Sequence, residues 1–212
     1  MPKPLSVDAP KLPVSGRTAP WALWALGFRP FYLAASIFAA LAIPLWVAQY
    51  AGWLTAPYLH GPVLHGHEML FGYTLAVITG FLFTAGRNWT GQPTPTGALL
   101  AAFVVLWIAG RVVVLTPWGT AAALVNAAFP LAVAVAFAVP LARSRNRRNY
   151  FFVLLLLAFA LAEIALHLSF LGVLPWPELA SLRVGLDLVL FIIAVMGGRV
   201  IPMFTNNGVP GT

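Results

Sequence analysis

Residues 150–171 read YFFVLLLLAFALAEIALHLSFL, and the only acidic, basic or histidine side chains in this stretch are Glu163 and His167. A run of ~20 mainly apolar residues can cross the ~30 Å hydrocarbon core of a bilayer as an α-helix. Five similar stretches accompany it, and together the six run over 31–50, 63–83, 97–115, 120–141, 150–171 and 182–201. The sequence therefore predicts an all-α, polytopic membrane helix bundle of about six transmembrane helices.

The composition excludes a soluble fold. Hydrophobic residues make up 61% of the 212 residues and charged residues only 8%, whereas about a quarter of the residues in soluble domains are charged. The excess apolar side chains must face lipid, so the bilayer is the first predicted partner. The net charge of +7 does not indicate nucleic acid as a partner, because the basic residues lie in short segments between apolar runs. The lack of cysteine excludes disulfides, cysteine-ligated iron–sulfur clusters and cysteine-attached haem.

The distribution of lysine and arginine predicts the orientation in the membrane. Basic residues occur before the first apolar stretch and after the second and fourth, and they are absent after the first and third. Because loops rich in lysine and arginine stay in the cytoplasm, both termini are predicted to be cytoplasmic. Residues 1–25, rich in proline and polar side chains, are interpreted as a disordered cytoplasmic tail, and residues 26–212 as one six-helix domain.

Ionisable side chains lie inside several of the predicted helices. Each costs about 2.5–3.5 kcal/mol at mid-helix on insertion scales, so such residues are functional candidates by default. The second and sixth helices should begin, and the third and fifth should end, on the non-cytoplasmic side. We therefore expect a group of these residues in the outer leaflet, namely His65, His67, Glu68, Arg111, His167, Arg183 and Asp187. Glu163, four residues before His167, shares its helix face.

The residue types in this group allow more than one chemistry. Histidines on two facing helices are what axial ligation of a b-type haem requires, because neutral imidazole binds iron and apolar side chains hold the porphyrin. The same histidines with a carboxylate could bind copper or zinc instead. A plainer alternative is that His167 hydrogen-bonds Glu163 or a backbone carbonyl. Arg183 and Asp187, four residues apart, favour a structural ion pair, although a haem propionate could also take the arginine.

A second set of polar residues lies at the predicted cytoplasmic helix ends. From the residues alone we interpret it as packed helix ends with snorkelling arginines. Its members are Asn88, Trp89, Arg199 and Asn206.

Four motifs in this order resemble the NnrS family: LGFRPF at 26–31, HGHEMLFG at 65–72, NWTG at 88–91 and GGRVIPMFTN at 197–206. The resemblance implies a bacterial inner-membrane protein of the nitric oxide response that protects against nitrosative stress and contains haem b and copper. It makes His65 and His67 the first-choice haem or metal ligands. It makes His167 a plausible partner ligand. In the hypothesis that follows, Glu68 is a further metal ligand, and Arg111 and Arg183 neutralise the haem propionates.

Family members are about twice as long, with about twelve spans. The resemblance therefore covers the first half of a typical member, and a second copy or another membrane subunit is an expected partner.

Two other functions remain open at this point. The chain could be an ion- or proton-coupled transporter or channel that uses Glu68, Glu163 and Asp187 as a path. It could also be a structural subunit whose partner carries the chemistry. A hydrolytic enzyme is not indicated, because the sequence shows no nucleophile–base–acid arrangement.

Overall fold

The computed structural model describes residues 22–54 and 58–208, and these residues are almost entirely helical. The long helices are α1 Phe28–Tyr50, α2 Gly61–Thr90, α3 Gly97–Val113, α4 Gly119–Ser144, α5 Phe151–Phe170 and α6 Glu178–Gly208. All but α3 are long and apolar enough to cross a membrane, and α3 is a shorter apolar helix of 17 residues. The described part of the chain contains no strand. The predicted helical membrane bundle is confirmed.

The helix limits follow from local sequence. Pro62 lies in the first turn of α2, where the backbone N–H that proline lacks would have no acceptor within the helix. Its fixed φ also suits the start of a helix. Gly91 ends the same helix in the left-handed conformation, at φ 64°. Residues 1–21 of the predicted tail lie outside the described residues. Its last four, Ala22–Ala25, form a 3₁₀ turn, and the carbonyl of Ala22 accepts a hydrogen bond of 2.6 Å from Arg29.

Helix α2 is the centre of the bundle. It packs against α1, α3, α4 and α6, and it reaches α5 through Phe71, whose ring lies edge-on to Phe159 at 6.3 Å. Its side chains are therefore buried on most sides, and Phe71 and Phe83 are fully enclosed. In contrast, α1 and α6 each expose a long apolar side that suits contact with lipid.

The segment Glu68–Thr74 of α2 is a π-helix. The Thr74 hydroxyl donates to the carbonyl of Met69, five residues back, at 2.8 Å. Gly72 lies in the middle of the segment, and a Cβ there would overlap a guanidinium nitrogen of Arg111. The indole of Trp107 donates to the Gly72 carbonyl at 2.9 Å. Since π-helical turns are rare and concentrate at functional sites, this segment indicates a functional role for the first half of α2.

Candidate functional site

Five ionisable side chains meet inside the bundle, near the end where α2 begins and where α3 and α5 end. Each is less than a tenth exposed to solvent. They are His67 and Glu68 of α2, Arg111 of α3, and Glu163 and His167 of α5. Buried charges of this kind persist in proteins when they are paired or hold a ligand. The atoms that remain unpaired therefore indicate where a ligand would bind.

Glu68 joins two of the helices. Its Oε1 lies 2.8 Å from Nδ1 of His67 and 3.1 Å from Nη1 of Arg111. The other end of the same guanidinium donates from Nη2 to Oδ1 of Asn126 on α4. A carboxylate that faces arginine is an acceptor, so Nδ1 of His67 must carry the hydrogen of their bond. The lone pair of His67 is then on Nε2.

His167 also carries its hydrogen on Nδ1, and Tyr58, which lies outside the helices, is the partner of that hydrogen. The hydroxyl of Tyr58 donates to the carbonyl of His167 at 3.2 Å and accepts from Nδ1 of its ring at 3.4 Å. The two rings are stacked with centroids 5.7 Å apart. Burial raises the pKa of Tyr58 to about 12, so the phenol keeps its proton at physiological pH. This arrangement also leaves the lone pair of His167 on Nε2.

Backbone bonds fix Tyr58 in place. Its amide donates to the carbonyl of Thr116 at 2.8 Å, and the amide of Leu59 donates to the carbonyl of Val114 at 3.3 Å. The side chain of Gln49 on α1 bonds both Leu59 and Gly61, at 3.0 and 2.8 Å. The segment before α2 is thus tied to the ends of α1 and α3, and it carries the tyrosine over the histidine.

Three ligand atoms converge beyond these contacts. One nitrogen of His67, one of His167 and an oxygen of Glu163 all lie within 4.8 Å of one another. Nε2 of His67 is 3.4 Å from Oε1 of Glu163. Nε2 of both histidines and Oε2 of Glu163 are buried and have no hydrogen-bond partner. The cluster thus brings the lone pairs of two imidazoles and a carboxylate close together, and either a proton or a bound cation would relieve their mutual repulsion.

The size of the cluster fits one metal ion. Ligand atoms about 2.0–2.2 Å from a tetrahedral ion are ~3.4 Å apart, so a pair at the full 4.8 Å would approach by about 1.4 Å when an ion binds. A porphyrin between the histidines does not fit. Their rings meet edge-on with centroids only 5.1 Å apart, and Oε1 of Glu163 lies 3.4 Å from Nε2 of His67, the atom that would bind the iron. The residues present suit an ion held by two imidazoles and one carboxylate.

His65 is not brought to this cluster. Residues two apart on a helix point ~200° apart around its axis, so His65 and His67 cannot face the same space. The ring of His65 stacks instead on Trp46 of α1, with centroids 4.6 Å apart. It lines a cavity of about 190 Å³ between α1, α2 and α3. Glu68 and Arg111 form the polar wall of this cavity, and Nε of Arg111 is buried without a partner.

The predicted buried pair of Arg183 and Asp187 is not formed. Among the described residues every salt bridge involves His67 or Arg111, and both side chains of the predicted pair are exposed on α6. The buried face of this helix presents Leu182 and Gly185, and a Cβ on Gly185 would lie 3.0 Å from the ring of Phe71. Positions 183 and 187 therefore turn away from the bundle, where water or another chain can solvate them.

The helix-end residues lie at the opposite end of α2 and α5 from the cluster. Trp89 is half-buried and stacks on Phe152 at 5.4 Å. Arg199 donates to Oδ1 of Asn149 at 2.8 Å and lies over the ring of Phe151 at 4.9 Å. Asn88 and Asn206 are exposed.

Two residues of the site were missed in the sequence. Asn126 is a polar side chain inside an otherwise apolar helix, and this feature could have marked it as a candidate in the sequence. Gly110 leaves room for its amide. Tyr58 had no signal, because aromatic residues are common near membrane interfaces.

Comparison with known proteins identifies the family. No curated protein and no solved structure gave a match. The family model described as NnrS protein matches residues 22–212, which include every residue of the cluster and all four motifs. A match over this share of the sequence, together with the membrane-type helices, shows that the chain belongs to the NnrS family of membrane proteins.

Proposed function

We propose that this NnrS-family membrane protein binds a transition-metal ion through His67, Glu163 and His167 and acts with it in the nitric oxide response. The observation that carries the proposal is the convergence of one ligand atom from each of these three buried residues within 4.8 Å, together with the lack of a hydrogen-bond partner at Nε2 of both histidines and Oε2 of Glu163. Protonating His67 would satisfy one contact to Glu163, but it would leave Nε2 of His167 and Oε2 of Glu163 unpaired. A metal ion satisfies all three.

Copper is the first candidate for the ion. Imidazole and carboxylate donors suit copper, zinc and iron, and among these the family resemblance points to copper. With neutral histidines, the charges of Glu68, Arg111 and Glu163 leave the cluster one negative charge in excess. Nitrogen and oxygen donors favour cupric over cuprous copper, and a cupric ion would change the excess to one positive charge. Bound copper would supply a redox-active centre that can bind nitric oxide.

The surrounding residues hold and orient the ligands. Glu68 keeps the hydrogen of His67 on Nδ1 and so presents the lone pair of Nε2. Arg111, fixed by Asn126, holds Glu68 in place, and Tyr58 does the same for His167. Such contacts outside the ligand shell typically change metal affinity 10–100-fold when they are removed. Phe71 and Phe159 close the space with apolar surface and exclude water.

Haem b is implied by the family resemblance, and the geometry argues against placing it between His67 and His167. The cavity beside His65 is also small: at about 190 Å³ it is below the ~300–1,000 Å³ of typical small-molecule sites. We therefore assign the buried cluster to an ion and do not assign a haem ligand among its residues.

We place the protein in the bacterial inner membrane with both termini in the cytoplasm, because its arginine-rich loops lie on one side. The metal cluster then lies toward the periplasmic face.

Asp187 lies about 13 Å along α6 from its first residue, and it is exposed there. A carboxylate at that depth is costly against lipid, so we propose that a second copy or another membrane subunit covers this face of α6.

A proton or cation path is the second candidate function. A line of polar contacts runs from Glu163 to His67 at 3.4 Å and from His67 to Glu68 at 2.8 Å. It ends at the cavity beside Arg111. Asp187 does not join this line. This function predicts metal-free protein and flux in liposomes that is lost in Glu163→Gln.

Metal content separates the two candidates. The protein, purified without added metal from copper-supplemented cells, should contain about one ion per chain, and His67→Ala should abolish it. His65→Ala and His60→Ala are matched controls, because His65 stacks on Trp46 and His60 is exposed. Equal loss of the ion in His65→Ala and His67→Ala would contradict the ligand assignment.

A further inference from the structure

A second cavity, of about 600 Å³, opens at the end of the bundle opposite to the metal cluster. It lies where the end of α2, the segment before α5 and the last third of α6 meet. The residues that line it include Trp89, Asn146, Arg148, Asn149, Met196 and Arg199. The proposed metal chemistry makes no use of this cavity, although residues of two family motifs line it, Trp89 of NWTG and Arg199 of GGRVIPMFTN.

The cavity carries two positive charges and no counter-charge from the described residues. Arg148 and Arg199 both line it. The salt bridges among residues 22–54 and 58–208 all belong to the metal cluster at the other end. Asp187, the nearest carboxylate along α6, precedes Arg199 by 12 residues, or about 18 Å of helix. Two guanidinium groups that share one cavity are stabilised by an anion between them.

One of the two guanidinium groups is held in a fixed position. Arg199 donates from Nη1 to Oδ1 of Asn149, and its Cζ lies 4.9 Å from the ring centroid of Phe151. Asn149 is buried and is itself held by Asn146, which also bonds the carbonyl of Trp89. Arginine has five N–H donors, and this contact uses one. The remaining donors are pre-oriented for a ligand.

An apolar groove continues from the charged cavity. It has a volume of about 610 Å³, runs between α1, α2 and α6, and shares Phe81, Met196 and Val200 with the cavity. Its walls are almost entirely hydrocarbon and aromatic, with Val77, Ile192 and others along its length. The two spaces together suit a molecule with an anionic head and a long apolar tail.

We propose that this joint site binds an anionic phospholipid, with the phosphate between Arg148 and Arg199 and an acyl chain along the groove. Basic pockets between transmembrane helices at the arginine-rich membrane face are suited to such head groups. The lipid would add a link between the ends of α2, α5 and α6, which already meet through Asn146, Asn149 and Arg199 and through the stacking of Trp89 on Phe152. Its expected effect is to stabilise the bundle without touching the metal.

Titration with defined lipids tests this proposal. Delipidated full-length protein in detergent is titrated with phosphatidylglycerol, phosphatidylcholine or inorganic phosphate, and bound lipid is counted by native mass spectrometry alongside the thermal unfolding midpoint. Phosphatidylglycerol should bind in a 1:1 complex and raise the midpoint, and phosphatidylcholine should do neither. Free phosphate should give little effect, because it lacks the tail.

Variants decide whether the cavity is responsible. Each arginine near a membrane surface contributes about fivefold in affinity for anionic lipid, so Arg148→Gln and Arg199→Gln should each weaken phosphatidylglycerol binding by about that factor. Arg143→Gln is the matched control, because Arg143 is exposed and does not line the cavity. Arg148→Gln keeps the test decisive if Arg199→Gln fails to fold, since Arg148 is an exposed side chain. Equal losses in Arg143→Gln and Arg148→Gln, or a full effect with free phosphate, would overturn the proposal.

Discussion

Replacing Glu163 with glutamine distinguishes a bound cation from a purely structural polar cluster. The substitution keeps the shape of the side chain and removes its charge. In the wild-type protein, Oε1 of Glu163 lies 3.4 Å from Nε2 of His67, and Oε2 has no partner. At an effective dielectric constant of about 20, a unit positive charge at that separation is attracted by about 5 kcal/mol. Its loss lowers the affinity for a metal ion by up to about three to four orders of magnitude.

The metal-free protein should respond in the opposite direction. A glutamine amide can donate a hydrogen bond to the lone pair of His67 Nε2, and it does not bury an unpaired charge. We therefore expect metal-free Glu163→Gln to be more stable than metal-free wild type by about 1–3 kcal/mol in the free energy of unfolding. The variant should accordingly unfold at a higher temperature.

The assay combines metal analysis with thermal unfolding. Wild type, Glu163→Gln and the control Asp187→Asn are purified in parallel, and metal per chain is measured by mass spectrometry before and after chelation. Unfolding is then followed for the metal-free samples. Asp187→Asn should behave as wild type, because Asp187 is exposed on α6. Full metal occupancy in Glu163→Gln after competition with a chelator would refute the assignment of Glu163 as a ligand.

Four further predictions follow from the same contacts. Tyr58→Phe should weaken metal binding about 10-fold; because burial raises the pKa of Tyr58 to about 12 from its usual ~10, stability should fall more steeply in wild type than in this variant as pH rises from about 10 to about 12. Gly72→Ala should destabilise the protein by about 1–3 kcal/mol in chemical denaturation, because its methyl group overlaps Arg111; an unchanged midpoint would show that the guanidinium can move. Arg183→Ala in detergent should change stability by less than about 0.5 kcal/mol, since the side chain is exposed; a larger loss would indicate a buried partner. Accessibility tags at both termini and in the α4–α5 segment should report the cytoplasm, and tags in the α1–α2 and α5–α6 segments the outside; termini on opposite sides would refute the orientation.

The sequence predicted the bundle because membrane spans depend on length and composition alone. Six apolar stretches of about 20 residues have few other solutions in a bilayer. The α-helical period by itself also placed Glu163 and His167 on one face of α5. Family motifs such as HGHEMLFG at 65–72 were specific enough to suggest the NnrS family, and the family comparison confirmed it.

The choice among the candidate residues depended on how each helix is rotated about its axis. A helix that is apolar on all sides has no polar face to show which residues point inward, so the sequence treated His65 and His67 alike and predicted a buried pair for Arg183 and Asp187. Packing of Gly185 against Phe71 fixes α6 with that pair on the outside.

The partners of the buried charges were likewise set by tertiary structure. Glu68 and Arg111 are 43 residues apart, and no local period connects them. Asn126 and Tyr58 reach the cluster from other elements for the same reason. The sequence alone predicted that ionisable groups from several helices gather toward one end of a helical bundle. Only the tertiary structure decided that His67, Glu163 and His167 share one space, because that depends on packing between helices distant in the chain.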